Sequence, residues 1–147
     1  MKLEVGKTVF NDYRLSVEVP DVEEGFKASD KGLMESTNFI VLWNHSDKRI
    51  SPFGRFTLVP MPGCCGIIVS VGSYLEPGFR SQHNPSRWFH EIKEKVARHF
   101  GYSLMLMTTQ TSNFPEVIGA AKSGWRLHHS FRNARTGNDI AIGVKKL

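Results

Sequence analysis

The strongest hydrophobic pattern in the chain is helical and lies between residues 86 and 100. Apolar side chains recur there every four positions, with charged side chains at most of the positions between them: Trp88, Ile92, Val96 and Phe100. This spacing predicts an amphipathic helix with one buried face. Its ends are marked as well, because Asn84 fits the N-cap, Pro85 the first helical position and Gly101 the left-handed residue after the last turn.

Short apolar runs upstream of this helix predict strands. Turn-rich segments separate three such runs, at residues 38–43, 54–59 and 65–75, which is typical of an antiparallel meander. Before them, the alternation of Leu15, Val17 and Val19 predicts one further strand, followed by a loop or short helix.

The segment after the long helix predicts a strand, a helix and a hairpin. Residues 104–107 (LMLM) are apolar at every position, which predicts a strand buried on both faces of a sheet. A second helix is predicted from about Phe114 to Ser123, with Asn113 and Glu116 forming a capping box and Gly124 ending it. Apolar positions then alternate at 125–131 and 140–144, around the turn sequence RTGND, which predicts an antiparallel hairpin.

The order of these elements predicts the fold class. Strand, strand, strand, helix, strand, helix, strand, strand is typical of an α/β (α+β) fold with a central mixed, mostly antiparallel sheet. One parallel pair of strands is joined by the long helix, and such strands can expose a cleft at their carboxyl ends. We expect residues 1–147 to form a single domain, with 1–37 as a variable N-terminal part and 38–147 as the core.

Composition indicates the cellular compartment of the protein and the kind of ligand that it favours. The formal net charge of +5 favours anionic ligands such as phosphorylated cofactors. Cys64 and Cys65 are adjacent and therefore poorly placed to bridge each other, so we expect buried strand thiols in a reducing compartment. No apolar stretch approaches the roughly 18 residues that span a bilayer, and no signal-peptide core is seen. We expect a soluble, cytoplasmic protein without a membrane partner.

The element order and the spacing of residues 86–125 resemble the GNAT superfamily of acetyl-CoA-dependent N-acetyltransferases. The resemblance covers roughly residues 38–147. In that family a strand leads to an Asn, followed at fixed spacing by a Tyr and by a Gly-aromatic pair. Asn113 matches the Asn, and Gly124 and Trp125 match the Gly-aromatic pair. Ala120 occupies the position of the Tyr, which in the family donates a proton to the departing thiolate.

The family's pyrophosphate loop falls on residues 81–86 and is altered. Its two glycines are replaced by Asn84 and Ser86, and its leading Arg or Gln by Ser81, with Arg80 and Gln82 on either side. Glycine matters in such a loop because a Cβ hinders a backbone that must approach a phosphate closely. Together with the segment TSNFPEVIGAAKSGW, the altered loop also resembles small GNAT-like proteins encoded by bacteriophages.

The resemblance implies acetyl-CoA as co-substrate, no metal, and a binding site in two parts. The first-turn amides of the long helix offer an anion site, and the strand end SVG offers edge groups to the pantetheine arm. The residues implied in cofactor binding are Ser70, Val71, Gly72, Arg80, Gln82, His83, Asn84, Ser86, Arg87 and Asn113. Ordinary structural explanations stay open, because Asn84 and Asn113 can simply cap helices and Gly72 can simply form a bulge.

Acetyl transfer to an amine needs a base for the ammonium group and an acid for the thiolate, both within hydrogen-bond reach. Tyr74 and Glu76, at the mouth of the predicted cleft, are the candidate catalytic residues, although each also fits an ordinary surface position. His90 is expected at the border of the long helix. His128 and His129 are neighbours on a strand and face opposite ways, which argues against a shared metal.

Two functions stay open from the sequence. The first is an N-acetyltransferase that acts on an amine of a small molecule or of a protein. The second is a catalytically degenerate GNAT-like module that binds a protein, as a phage virion component or an inhibitor of a host factor in the host cytoplasm. The lost loop glycines and Ala120 motivate the second. Nucleic-acid binding is a weaker third option, because no recognisable motif supports it.

Overall fold

A computed structural model describes residues 2–10, 13–20, 37–44, 50–77 and 85–147 of the chain. Its strands are β1 (Lys2–Phe10), β2 (Tyr13–Glu18), β3 (Thr37–Asn44), β4 (Ile50–Pro60), β5 (Ile67–Leu75), β6 (Leu104–Gln110), β7 (Arg126–Arg132) and β8 (Asp139–Lys146). The helices within these ranges are α1 (Pro85–His99) and α2 (Phe114–Lys122). Neither of these two helices has the length and apolar character that a bilayer crossing requires.

The described strands form a single sheet in the order β1-β2-β3-β4-β5-β6-β8-β7. Neighbouring strands are antiparallel except β5 and β6, which run parallel and are joined through α1. A parallel pair needs a crossover between its strands, because the chain must return to the edge of the sheet from which it started. The predicted mixed sheet, parallel pair and closing hairpin are therefore confirmed.

Strand β1 was not predicted from the sequence. It forms an antiparallel hairpin with the predicted strand β2, and its register shifts between Glu4 and Thr8. The same stretch contains Gly6 and Lys7, which interrupt the alternation of apolar positions by which a strand is recognised. The loop or short helix expected before residue 37 falls on 21–36, outside the described residues.

The core lies between one face of the sheet and α1. Phe39 on β3 stacks on Phe56 of β4 with ring centroids 5.1 Å apart, and Phe56 meets Phe89 of α1 edge-on at 5.8 Å. Such aromatic pairs contribute about 0.5–1.5 kcal/mol beyond the burial of their area. Ile92 and Val96 of α1 are fully buried beside them, which confirms the predicted apolar face of the helix.

Both predicted glycine stops are confirmed, but the predicted capping box is wrong. Gly101 and Gly124 have φ values of 86° and 81°, the left-handed conformation that ends a helix at low cost in glycine. Asn113 makes no side-chain hydrogen bond to the start of α2. Glu116 instead turns toward α1, where its Oε1 lies 3.2 Å from Nε2 of the buried His90. The proposed cap Asn84 lies outside the described residues.

Two burial predictions also need correction. Cys64 and Cys65 are exposed in the turn before β5 rather than buried in a strand, since β5 begins at Ile67. Their positions follow from the glycines at 63 and 66, whose positive φ angles hold the chain in turns. On β6, Met105 and Met107 are buried but Leu104 and Leu106 are only half-buried, so that strand has one buried face instead of two.

A polar cluster lies inside the contact between α1, α2 and β8. Lys93 on α1 is 2% exposed, and burial lowers its pKa to about 8, while the charge of Glu116 acts in the opposite direction. Burial raises the pKa of Glu116, but contact with His90 and the charge of Lys93 outweigh it and leave that pKa below its ordinary value. Lys145 of β8 donates to the carbonyl of Ser123, at the end of α2. The interface between the helices therefore combines apolar packing with buried charge.

We expect Lys93→Met to stabilise the protein at pH 7 by about 1–2 kcal/mol, since a flexible apolar side chain removes the cost of burying an ammonium group. The unfolded chain keeps the Lys93 proton up to about 10.5, whereas the folded chain releases it near 8. The free-energy cost of burying Lys93 therefore falls as pH rises from about 8 to 10.5. The difference in free energy of unfolding between the variant and the wild type should narrow over that range.

Urea unfolding of the wild type and of Lys93→Met at pH 7 and pH 10 measures both quantities. Lys95→Met, at an exposed position on the same helix, is the matched control and should change the free energy of unfolding by less than about 0.5 kcal/mol. A stability difference for Lys93→Met that stays constant between the two pH values would contradict the expected pKa.

Candidate functional site

The sheet opens between its two parallel strands. β5 and β6 pair from Ile67 with Leu104 to Ser70 with Met107 and have no further register pair. Beyond that point β5 stays with β4 as far as Leu75, while β6 stays with β8 as far as Gln110. The two strands therefore diverge toward their carboxyl ends and leave a wedge between them, where the sequence predicted a cleft.

A β-bulge in β5 lies at the start of this wedge. Leu58 of β4 pairs with Ser70 and Thr57 pairs with Gly72, so Val71 is the extra residue without a register partner. Val71 is 58% exposed, whereas Ser70 is buried within the paired part of the strand. A bulge bends its strand and increases the local twist, which turns β5 away from β6. The sequence left open that Gly72 forms a bulge, and the structure has the bulge at its neighbour Val71.

Two rows of side chains cross the sheet beside the wedge, on the face opposite α1. Ile40, Arg55 and Tyr74 form one row across β3, β4 and β5, and Asn38, Thr57 and Gly72 form the next. These residues line a cavity of about 610 Å³ together with Phe56 and Ser73. A Cβ built on Gly72 meets no described atom within 4 Å. The missing side chain at position 72 therefore leaves open space beside the bulge.

A second cavity of about 380 Å³ shares Ile40, Arg55 and Tyr74 with the first and is completed by Pro52, Gly54 and Glu76. Tyr74 lines both cavities, and the backbone N–H of Glu76 donates to the carbonyl of Phe53 at 3.1 Å. The structure thus brings Tyr74 and Glu76, the two candidate catalytic residues, to one groove. We use the name acceptor groove for the two cavities together.

Arg55 is a residue of this groove that the sequence analysis did not select. Its guanidinium carbon lies 5.4 Å from the centre of the Tyr74 ring, a distance at which a cation is attracted to an aromatic face. In the next row, the Thr57 hydroxyl donates to Oδ1 of Asn38. The alternation in GRFTLV could have identified Arg55 and Thr57, because they alternate with the buried Phe56 and Leu58 and therefore point to the other face of the sheet.

The start of α1 lies on the same edge of the sheet as the wedge. β5 ends at Leu75, and α1 begins at Pro85 and returns toward the start of β6. Ser86 and Arg87 occupy the first turn, where backbone N–H groups have no partner within the helix and the helix dipole is positive. Four residues predicted to bind the cofactor lie outside the described residues: Arg80, Gln82, His83 and Asn84.

Asn113 and Ala120 occupy different environments. Asn113 is exposed in the connection between β6 and α2, on the side of the sheet where the carboxyl end of β6 lies. Ala120 is 0% exposed within the core, and its carbonyl accepts a hydrogen bond of 3.0 Å from the backbone N–H of Trp125. Ala120 offers no hydroxyl group to a ligand, so any proton donor must come from elsewhere.

The histidines of the described residues lie away from this groove. His90 is buried against Trp125, with ring centroids 5.3 Å apart. His128 and His129 are exposed on β7, at the far edge of the sheet. Within the part of the chain that the structure describes, no three His, Cys, Asp or Glu side chains form a group that could hold a metal ion.

Solved structures share this architecture. A structure from Chromobacterium violaceum, described as a GNAT-family acetyltransferase, has a TM-score of 0.57 at 16% identity over 76% of this chain. A second, from Desulfovibrio desulfuricans, has a TM-score of 0.60 at 17% identity over 74%. Spermidine N-acetyltransferase from Vibrio cholerae, in complex with CoA and spermine, has a TM-score of 0.61 at 12% identity over 76%. The chain therefore has the GNAT fold.

The comparisons differ in how much of each protein they include. The match spans 56% of the Chromobacterium chain, 68% of the Desulfovibrio chain and 65% of the Vibrio chain. No family model matches the sequence, and no curated protein matches it by sequence. The likeness thus lies in the fold.

We expect substitution by alanine to destabilise the protein at one glycine of the acceptor groove and to have almost no effect at another. A Cβ at Gly54 would lie 2.5 Å from the backbone oxygen of Tyr74 and 3.2 Å from Phe89, so Gly54→Ala should cost about 1–3 kcal/mol. Gly72→Ala points into open space and should change the free energy of unfolding by less than about 0.5 kcal/mol. Urea unfolding of both variants checks this, and equal losses would show that position 72 is packed.

Proposed function

We propose that the chain is an acetyl-CoA-dependent N-acetyltransferase that transfers an acetyl group to an amine. The observation that carries the proposal is the divergence of β5 from β6 at the Val71 bulge, on the same edge of the sheet as the first turn of α1. Strand edges and a helix N-terminus suit a ligand with amide groups along one part and phosphates along another. The Vibrio structure, solved with CoA and spermine, supports both a CoA ligand and an amine acceptor.

The residues at the wedge fit such a ligand. Val71 and Gly72 are exposed residues that follow the paired Ser70, and backbone groups of this strand end can bond the amides of the pantetheine arm as an added strand would. We propose that the pyrophosphate lies at the first-turn amides of Ser86 and Arg87, and that the positively charged residue Arg87 favours this anion. The further residues that we propose to contact the ligand are Asn113, Arg80, Gln82, His83 and Asn84.

In the proposed reaction, Tyr74 and Glu76 move the protons. Acetyl-CoA, when bound, supplies the thioester whose carbonyl carbon the amine attacks. Glu76 accepts a proton from the ammonium group, which frees the nitrogen lone pair to form the C–N bond. As the C–S bond breaks, Tyr74 donates its phenolic proton to the departing thiolate. The nitrogen releases its second proton through water to the Tyr74 phenolate, and Glu76 returns the first proton to solvent. Backbone N–H groups beside the bulge stabilise the oxyanion, and the groove holds the reactants together.

The proposal extends to the organisation of the chain. We propose that residues 1–147 act as a single domain with 38–147 as its core, in the cytoplasm. The acceptor amine belongs to a small molecule or to a protein.

A second candidate is a GNAT-like module without catalysis that binds a protein, as a phage virion component or a host-factor inhibitor. The observation that favours it is Ala120, which is buried where the resemblance implies a tyrosine. Asn84 and Ser86 at the glycine positions of the loop point the same way. This candidate needs no acetyl-CoA and no turnover, so the two candidates separate in one set of measurements.

We expect acetyl-CoA to bind the purified chain in a calorimetric titration and to raise its melting temperature, because a ligand that binds only the folded state stabilises it. Arg87→Gln and Asn113→Ala should weaken this binding. The absence of both heat and a melting shift at millimolar acetyl-CoA would contradict the transferase and leave the binding module.

We expect Tyr74→Phe and Glu76→Gln each to lower kcat by about 10²–10⁴-fold, the usual contribution of a positioned acid or base. Acetylated product is measured by mass spectrometry with a panel of amines, and circular dichroism checks that each variant folds. His129→Gln, at an exposed position on β7, is the control that should keep wild-type rates. Full activity in both Tyr74→Phe and Glu76→Gln would remove these residues from the mechanism.

A further inference from the structure

The acceptor groove contains a cation that the proposed reaction does not use. Arg55 lines both cavities, and its side chain is exposed in the row that it forms with Ile40 and Tyr74. The contact recorded for its guanidinium group among the described residues is with the ring of Tyr74, and no described acidic side chain forms an ion pair with it. Its hydrogen-bonding groups are therefore available to a ligand in the groove.

The contact with Tyr74 limits where the guanidinium group can lie. Arg55 and Tyr74 are cross-strand partners on β4 and β5, and the cation lies 5.4 Å from the ring centre. The guanidinium group is planar and presents paired N–H donors in a fixed fork that matches a carboxylate. A fork held against an aromatic ring loses less freedom when it binds an anion than a free side chain would.

Charge in the groove is divided between two groups. Glu76 lies at the smaller cavity and Arg55 borders both cavities. A ligand with one positive and one negative group complements this pair, whereas a polyamine brings a second positive charge close to Arg55. Like charges placed together in an interface are costly and exclude wrong partners.

The size of the groove favours a small ligand. Its two parts have volumes of about 610 Å³ and 380 Å³, in the range of pockets that hold small molecules. Gly72 keeps space open beside the bulge, one row of side chains away from Arg55. An amine can therefore lie near Gly72 while the other end of the same molecule reaches the guanidinium group.

We propose that the acceptor is a small amine that also carries a carboxylate, and that Arg55 is the specificity residue that binds this carboxylate. The inference rests on the proposed acetyl transfer and names the substrate class of the same groove. It separates this chain from the Vibrio neighbour, which was solved with the polyamine spermine. Arg55 acts in binding, while Tyr74 and Glu76 move protons.

The test uses pairs of acceptors that differ only in the carboxylate. Glycine, β-alanine and 4-aminobutyrate are each compared with the corresponding amide, and spermidine serves as the polycationic acceptor. We expect kcat/KM for at least one amino acid to exceed that of its amide by about tenfold or more, the usual effect of a charge-assisted hydrogen bond. In Arg55→Gln the preference should disappear, because KM for the amino acid rises to that for the amide.

Two further variants make the result specific. Arg55→Lys keeps the charge but loses the fork and should retain only part of the preference. Arg126→Gln removes an exposed arginine on β7, which three strands separate from β4, and should leave the preference intact. Equal kcat/KM values for amino acids and amides in the wild type, or a preference that survives Arg55→Gln, would overturn the inference while acetyl transfer itself stands.

A binding measurement separates this inference from the proposed function. Ligand-observed NMR without acetyl-CoA measures binding of the same amino acids and amides to the wild type and to Arg55→Gln. Arg55-dependent binding of the amino acids together with no acetyl-CoA binding would overturn the transferase and retain the carboxylate site. Binding of acetyl-CoA with no Arg55-dependent difference between amino acids and amides would overturn the carboxylate site and retain the transferase.

Discussion

The arrangement of the whole molecule depends on one parallel pair of strands in an otherwise antiparallel sheet. Parallel strands cannot be joined by a tight turn, so α1 must cross from the carboxyl end of β5 to the amino end of β6. Each strand of the pair has an antiparallel neighbour on its other side, and the two strands part after four register pairs, where the Val71 bulge bends β5. The crossover therefore places the start of α1 at the edge where the wedge opens.

The two faces of the sheet have different surroundings along the same strands. On β4, Phe56 and Leu58 face the core, where Phe56 contacts Phe89 of α1, and the alternate residues Arg55 and Thr57 face the acceptor groove. Successive side chains of a strand point to opposite faces, so one strand can contribute to both surfaces. The room for a side chain also differs within the groove, since a Cβ at Gly54 would meet packed atoms and a Cβ at Gly72 would meet open space.

The sequence predicted those parts of the fold that local patterns determine. The four-residue spacing of Trp88, Ile92 and Val96 and the glycines at 101 and 124 were sufficient for α1 and the end of α2, since burial and positive φ have clear local signals. The partner of Glu116 had no such signal, because His90 comes to it through tertiary packing of α1 on α2. The alternation in GRFTLV could have placed Arg55 on the open face of β4, but its neighbours Ile40 and Tyr74 become apparent only when β3, β4 and β5 lie side by side. The residues proposed for the pyrophosphate loop were suggested by resemblance, and their roles stay predictions.

The exposed thiols give the fold a practical consequence. Cys64 and Cys65 precede β5, so they lie at the amino-terminal edge of the sheet, whereas β5 and β6 part toward the opposite edge. A maleimide dye attached at either thiol can therefore serve as a spectroscopic reporter of the protein while leaving the acceptor groove unobstructed. Because two adjacent thiols would be labelled as a mixture, replacing one of them by serine gives a uniform attachment point at this turn.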